Sequence, residues 1–418
     1  MPWVIPVDVF ARNRRSIWNA KIDPDDGPWL AGALWRCMSR VGGLRCAAWP
    51  SKSPAIFAGG DAGNSRFSIA AKPMLYICQS GYETLLAREL ESHGLTAGEQ
   101  GPGWVLVESG ERKAESGKPE DGTSKDWVFP QLILHQPSEI RGDSVNALAL
   151  QLADFFMRSL GAERVETAWP CVFDGPAELV GLGRRLGGVE KAFHDILRKR
   201  FSRVAKLATP ERPRGVMPAR GLFVWFADFG RAFAAREVWL NGQRRMADDA
   251  AAPSRSYLKV EEAYIVLGRE PVPGETVADL GAAPGGWSFS AAKHGARVVA
   301  IDNGPLKGGA LDHPLIEHRR EDAFRFQPAE GAVYDWLYCD MLEDPHHVLH
   351  QIVEPWLARR WCRRFVINLK FGRVDALALL AELRAPASPF VAHATNVRIR
   401  HLYHDREEFT VVGEVVAR

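Results

Sequence analysis

The sequence predicts an α/β protein: a C-terminal domain over residues 246–418 with a mostly parallel sheet, preceded by smaller α+β units. Three observations carry this. Beyond residue 275 the segments "TVADL", "ARVVAID", "YDWLYCD", "RRFVINLK" and "EEFTVVGEVV" read as buried strands, with helical spacing such as "VDALALLAELR" between them. Strands alternating with helices imply parallel pairing. Upstream, "GLFVWFADFGRAFAAREVW" alternates strand residues with a glycine turn, the mark of an antiparallel hairpin. A chain of 418 residues also exceeds a single ordinary core, so two or three domains are expected.

The elements follow in order. Residues 1–73 mix Gly, Pro and Trp without sustained periodicity and predict a poorly ordered extension, with Met74 as a candidate translational start. From Met74, "MLYICQSGYETLLARELESHGL" gives a strand, a turn at Gly81, and a helix with Leu85, Leu86 and Leu90 on one side. Gly110 to Asp126 is a polar loop, and "WVFPQLIL" reads as a strand. "SVNALALQLADFFMRSL" is a helix with a serine start, and "GVEKAFHDILRKRFSRVAK" is a second one. The segment Arg244 to Ser256, "RRMADDAAAPSRS", is the expected linker.

Composition narrows the function. Hydrophobic content of 46% and charged content of 25% are globular values, and a net charge of +2 means that any nucleic-acid partner meets a local patch. The six cysteines, Cys37, Cys46, Cys78, Cys171, Cys339 and Cys362, form no C-x-x-C pair, which argues against thiolate zinc and a disulfide scaffold. No run of 18 apolar residues predicts a membrane span, and "MPWVIPVDVFARNRR" lacks the pattern of a secretory signal. A cytoplasmic protein, a monomer or weak dimer, is expected.

The stretch "DLGAAPGGWSFS", Asp279 to Ser290, joins a strand to a helix through a glycine turn. In an open α/β sheet such a carboxyl end binds ligands. A dinucleotide wants G-x-G-x-x-G, whose N–H groups cradle pyrophosphate. Here Ala283 replaces the second glycine and Pro284 withdraws a donor. S-adenosylmethionine (SAM) has no phosphate and needs only close backbone approach. Asp302, which lies 21 residues beyond Gly281, suits a ribose-binding carboxylate, and Asp322 could meet the adenine edge. Their bland readings are a helix cap and a surface charge.

"VINLK" ends a buried strand on Lys370, where an ammonium is costly to desolvate. Asp340 ends "WLYCD", Lys259 lies in "SRSYLKVEEAY", and Glu408 opens the last strand beside Glu407. Two lysines and two carboxylates at one sheet edge form an acid–base site. A neutral Lys370 could take the proton from an attacking hydroxyl. Burial and a second ammonium lower its pKa, whereas carboxylates raise it, so the sign stays open at this level.

The motifs "SRSYLKVEEAY", "VADLGAAPGGWS", "AIDNGPL", "CDML", "NLK" and "LYHDREEFTVV" resemble those of the RrmJ/FtsJ-like SAM-dependent ribose 2′-O-methyltransferases. The resemblance implies a Rossmann-like domain with a Lys-Asp-Lys-Glu tetrad on Lys259, Asp340, Lys370 and Glu408. It also implies cofactor contacts from Ser256, Ala283, Pro284, Gly285, Gly286, Asp302, Asp322 and Asp340, and no metal. "PSRSYLKVEEAY", "IDNGPL", "REDAF" and "LYHDREE" are similar to the bacterial enzymes that methylate a cytidine 2′-hydroxyl of 23S rRNA, or its precursor, near the peptidyl-transferase centre. That group implies a ferredoxin-like domain over 74–140, a THUMP-like RNA-binding domain over 141–245, and the methyltransferase domain over 246–418. Residues 1–73 lie outside the resemblance.

Three basic runs offer phosphate contacts: Arg198, Lys199, Arg200, Arg203 and Lys206 on one expected helix; Arg359, Arg360, Arg363 and Arg364; and Arg398, Arg400 and Arg406 with His401 and His404. Any single run has a solvated helix face as its plain reading. Trp287 and Tyr403 are candidate base-stacking platforms, with a core role the alternative for Trp287. Adjacent His346 and His347 read as surface. Rival functions are methylation of another RNA such as tRNA, a catalytically inactive RNA-binding protein, and a nicotinamide dehydrogenase. The full tetrad speaks against the second and the missing glycine pattern against the third.

Overall fold

The computed structural model describes residues 72–108 and 126–417, so the expected extension and most of the polar loop lie outside the described residues. The chain opens with β1 (Met74–Ile77), α1 (Glu83–Ser92), β2 (Gln100–Gly101) and β3 (Trp104–Val107). Then come β4 (Leu132–His135), β5 (Ser138–Arg141), α2 (Val145–Leu160) and β6 (Trp169–Asp174). This half closes with α3 (Leu182–Arg200), α4 (Ser202–Leu207), β7 (Ala208–Thr209), β8 (Val216–Phe226) and β9 (Arg231–Asn241). Ser144 starts α2 by accepting a hydrogen bond from Ala147 N–H at 3.1 Å, satisfying an orphan donor of the first turn. The expected "WVFPQLIL" strand is shorter: only its last part pairs, and Trp127 to Phe129 are buried without joining a strand.

All nine strands form one sheet, in the order β2-β3-β1-β4-β9-β8-β6-β7, with β5 also on β9. The hairpin β8–β9 is antiparallel, as its alternation predicts. Because β9 pairs with β4, Leu132 lying opposite Leu240, the sheet runs unbroken across residue 140. Helices α2 and α3 cover one face through Leu152, Phe156, Phe193 and Leu197.

Between Asn241 and Tyr257 no regular element forms. The second half then runs α5 (Tyr257–Leu267), β10 (Thr276–Leu280), α6 (Gly286–Lys293), β11 (Arg297–Ile301), β12 (Ile316–Arg319) and β13 (Tyr334–Cys339). Helix α7 (Pro345–Val348) passes through a π turn into α8 (Glu354–Ala358). It ends with β14 (Cys362–Lys370), α9 (Ala376–Arg384), α10 (Pro389–His393), β15 (Ala394–Arg400) and β16 (Glu408–Val415). The seven strands are ordered β12-β11-β10-β13-β14-β16-β15. The first five are parallel; β16 inserts antiparallel between β14 and β15. The chain leaves β10 toward β11 on one side and returns to β13 on the other, which puts the topological switch point between β10 and β13.

The two sheets share a core. Trp127, Val128 and Phe129 pack with Ile399 and Phe409, and the Phe129 and Phe409 rings lie 5.8 Å apart. Cys78, Cys171, Cys339 and Cys362 are free and buried, and burial raises each thiol above its usual range. Among the described residues no helix is long and apolar enough to cross a membrane.

Candidate active site

The period of two along a strand puts Asn368 and Lys370 on one face of β14. The antiparallel register sets Lys370 opposite Glu408 and Asn368 opposite Thr410. Asp340 follows the last residue of β13, the parallel neighbour on the other side. Lys259 reaches in from the first turn of α5. Four elements thus bring four charged groups to one carboxyl edge. Lys370 Nζ donates to Asp340 Oδ1 at 2.5 Å and to Glu408 Oε2. Lys259 Nζ pairs with Glu408 Oε1 at 2.5 Å and lies 3.6 Å from Asp340 Oδ2. Strand alternation also separates the two glutamates: Glu408 is buried and Glu407 is exposed.

The electrostatics follow from these contacts. Burial pushes Lys370 down, but Asp340 and Glu408 outweigh it and hold the ammonium above its ordinary range. Burial alone would raise Glu408; Lys370 and Lys259 overcome that and keep it below the usual carboxylate range. The two lysines and two carboxylates cancel in formal charge, which is how a largely desolvated ionic cluster is tolerated.

Several polar residues of this edge escaped the sequence reading. Asn368 donates to Asp340 Oδ1 at 3.0 Å and accepts from Thr410 Oγ1 at 2.6 Å, so it aims the carboxylate. Thr410 also donates to Asp405, whose pKa burial and the charge on Glu408 push up to about 8. Glu262, fully buried, accepts from the N–H groups of Arg244, Tyr403 and His404 and fixes α5 against two loops. The readable signal was position: Asn368 is two residues before Lys370, and Thr410 is two after Glu408.

The glycine turn lies beside this cluster. Gly281, at φ +78°, has no Cβ to collide with the side chain of Met341, the residue after Asp340. Gly285, at φ +104°, leaves room that a Cβ would lose to Ala310 at 2.5 Å. The N–H groups of the turn are spent internally. Gly281 and Ala282 donate to Ile301 O, Ala283 donates to Asp302 Oδ2 at 3.0 Å, and Gly285 donates to Ala282 O at 2.6 Å. Pro284, after a cis bond, has none. The turn from Gly281 to Gly285 thus offers a pyrophosphate no free N–H, and a ligand without phosphate needs none there. Asp302 also accepts from Gly304 N–H at 2.7 Å, which orients the carboxylate and leaves it further lone pairs for hydroxyls. Ser256 sits against the turn, its hydroxyl bonded to that of Ser254 at 2.7 Å. Asp279, at the end of β10, accepts from Ser288 Oγ at 2.6 Å, and burial pushes its pKa up to about 7. Asp322 lies past β12 with its side chain about half exposed, bonded to Phe324 N–H and paired with Arg325 at 3.4 Å.

Other expected contacts fall elsewhere. Trp287 is buried and donates to Ser256 O at 2.9 Å, so it is core and not a stacking platform. Arg400 and His401 are buried: Arg400 donates to Asn241 O and Asp126, and His401 is bonded to Arg406 O. His404 accepts from Met246 N–H, and Arg398 donates to Val266 O. Arg400 therefore ties the last strands to the first half of the chain, and of this run Arg406 is left exposed. Arg359 to Arg364 stand at the opposite end of β14 from Lys370, and Arg363 and Arg364 pair with Asp335 and Glu275. The run Arg198 to Lys206 is exposed but broken at Phe201 into α3 and α4. His346 pairs with Glu382 at 2.9 Å, and His347 packs on Phe324.

A glycine turn at the switch point, with most of its N–H groups spent internally and a Lys-Asp-Lys-Glu cluster beside it, belongs to a SAM-dependent methyltransferase domain. Residues 252–371 match the family described as FtsJ-like methyltransferase. The ribosomal RNA large subunit methyltransferase M of Stenotrophomonas maltophilia is 32% identical over 368 residues, covering 81% of this chain and 96% of that protein. That of Alkalilimnicola ehrlichii is 33% identical over 356 residues, covering 80% and 92%. That of Halorhodospira halophila is 40% identical over 206 residues, covering 48% and 59%. The chain belongs to the ribosomal RNA large subunit methyltransferase M family. Its cofactor is S-adenosylmethionine.

Proposed function

We propose that the protein methylates the ribose 2′-hydroxyl of a cytidine in 23S rRNA, or its precursor, near the peptidyl-transferase centre, with Lys370 as general base. The reading rests on one observation above all: Lys259, Asp340, Lys370 and Glu408 meet within ion-pair distance beside the glycine turn. A ribose hydroxyl is a poor nucleophile that needs a positioned base and close alignment. The bound cofactor supplies a methyl group on a sulfonium centre. Lys370 begins as an ammonium held by Asp340 and Glu408. It must give that proton to solvent before it can act as base, and a cation bound nearby would favour the loss by like-charge repulsion. The neutral amine then accepts the hydroxyl proton, while Asn368 keeps Asp340 oriented and Lys259 keeps Glu408 engaged.

In this reading Ser256, Ala283 to Gly286, Asp302, Asp322 and Asp340 hold the cofactor. Residues 74–140 act as a ferredoxin-like unit and 141–245 as a THUMP-like RNA-binding unit. The protein works in the cytoplasm, where its RNA is made. The test is methylation of 23S rRNA fragments and of tRNA with methyl-labelled cofactor, followed by mapping of the product. Label on a cytidine 2′-oxygen of the peptidyl-transferase region is expected. Label on tRNA alone, or on a base, contradicts the reading.

A further inference from the structure

Away from the tetrad, a cavity of about 480 Å³ opens between the end of the first sheet and the linker to the second half. Arg212, Arg214 and Arg244 line it, with Glu211 as its acidic lining residue and Trp169 and Pro170 as an apolar wall. Among the described residues none of the three guanidiniums has a carboxylate within ion-pair distance. Their hydrogen bonds are few and long: Arg212 to Gln131 O at 3.4 Å, and Arg244 to Arg212 O at 3.5 Å. Three fork-shaped donors with unspent N–H groups are drawn together here, Arg212 and Arg244 partly buried and Arg214 exposed at the mouth, a costly arrangement for the buried pair unless an anion completes it. Burial and crowding both act on Arg212 and Arg244. Burial pulls Arg244 down, as does neighbouring Arg214, although Glu211 and Glu262 oppose them. Burial likewise lowers Arg212, against Asp174 and Glu262 and together with Arg244.

The position of the cavity says what the anion is. The exposed basic residues Arg198 to Lys206 run along α3 and α4 into β7, and the chain turns from β7 directly into Arg212 and Arg214. On the other side, Arg244 N–H is held at 2.8 Å by Glu262, which stands three residues from Lys259 on α5. The exposed basic helices thus run through β7 to the arginine cleft, and the backbone of Arg244 ties the cleft to the helix that carries Lys259.

We propose that Arg212, Arg214 and Arg244 form a phosphate-binding cleft that grips the sugar–phosphate backbone of the RNA substrate and sets its register on the catalytic edge. This rests on the RNA-methylating reading. Guanidinium forks match phosphate bidentately, and such contacts position a strand without reading its sequence.

The test compares full-length parent protein with the triple variant Arg212→Gln/Arg214→Gln/Arg244→Gln and with the corresponding triple lysine variant. The probe is a fluorescently labelled transcript of the peptidyl-transferase region of 23S rRNA, titrated over a range of salt. The glutamine variant is expected to lose about tenfold or more in affinity, and its log–log salt slope should flatten by roughly two. Its KM for RNA should rise while kcat at saturating RNA and cofactor affinity stay near parent values, and the lysine variant should recover most of the salt slope. An unchanged slope and affinity in a folded glutamine variant overturns the proposal. So does a cleft that binds inorganic phosphate while RNA binding ignores it, or equal loss of cofactor binding in both variants, which marks a structural role. The binding readout needs no methyl transfer. A parent protein that methylates no RNA defeats the functional reading while the salt slopes still judge the cleft.

Discussion

At Lys370, two effects of opposite sign meet. Desolvation favours the neutral amine, and the two carboxylates at contact distance favour the ammonium more strongly. The folded-state pKa therefore lies above the ordinary lysine value of about 10.4. The shift stabilises the fold below that ordinary value and is lost as pH rises through the folded one. For catalysis the consequence is reversed, because the proposed base must be neutral. Its neutral fraction in the free enzyme grows about tenfold per pH unit up to the folded pKa, so kcat/KM should climb with a log slope near one from about pH 7 to 9. Glu408→Gln removes one raising charge and should move that limb to lower pH. A profile flat across the window would rule Lys370 out as the base. The sequence made the lysine conspicuous, since an ammonium after "VINL" is unusual, but it could not give the sign, which depends on distances between β13, β14 and β16. The choice between Glu407 and Glu408 was open for the same reason: it is a matter of strand register.

Among the elements, α5 does two jobs. Lys259 faces the tetrad, and Glu262, one turn on, ties the helix to the linker at Arg244 and to the loop at Tyr403 and His404. Burial raises the Glu262 carboxyl well above its usual range, against the three N–H groups that favour its charge. Glu262→Ala would leave those three donors unpaired at about 1–3 kcal/mol each, so a loss of about 3 kcal/mol or more is expected. Glu262→Gln keeps one accepting oxygen and should cost well under half as much. Urea midpoints of the two variants measure this, and an alanine variant within about 1 kcal/mol of the parent would show that the anchor is not needed. The sequence placed Lys259 before the first strand but gave no hint of Glu262, because its partners lie 18 and about 140 residues away. Strands β10, β11, β13, β14 and β16 were legible as apolar runs, while β15 was hidden. Its "ATNVRIR" carries two arginines that look like surface charge, and Arg400 is buried only because Asn241 and Asp126 meet it.

Across the whole molecule, the two sheets are held by a shared apolar core and by the splice through Arg400, His401 and Gln243, which bonds Val128 O and His401 O. The continuity of the first sheet through β4 and β9 was not legible, since residues 132 and 240 pair by long-range closure that no local pattern reports. The glycine turn was legible as a turn; that its donors are spent on Ile301, Asp302 and Ala282 emerges only when β10 and β11 lie side by side. Four elements converge on one edge, and in the proposed reaction Lys370 there takes the proton from a ribose hydroxyl beside the cofactor. The most direct measurement pairs turnover with cofactor binding in Lys370→Ala. Turnover on 23S rRNA should fall by about 10²–10⁴-fold or more, the usual worth of a positioned base, while cofactor affinity by calorimetry stays within a few-fold of the parent. Full turnover in that variant, or loss of cofactor binding equal to the loss of rate, would contradict it.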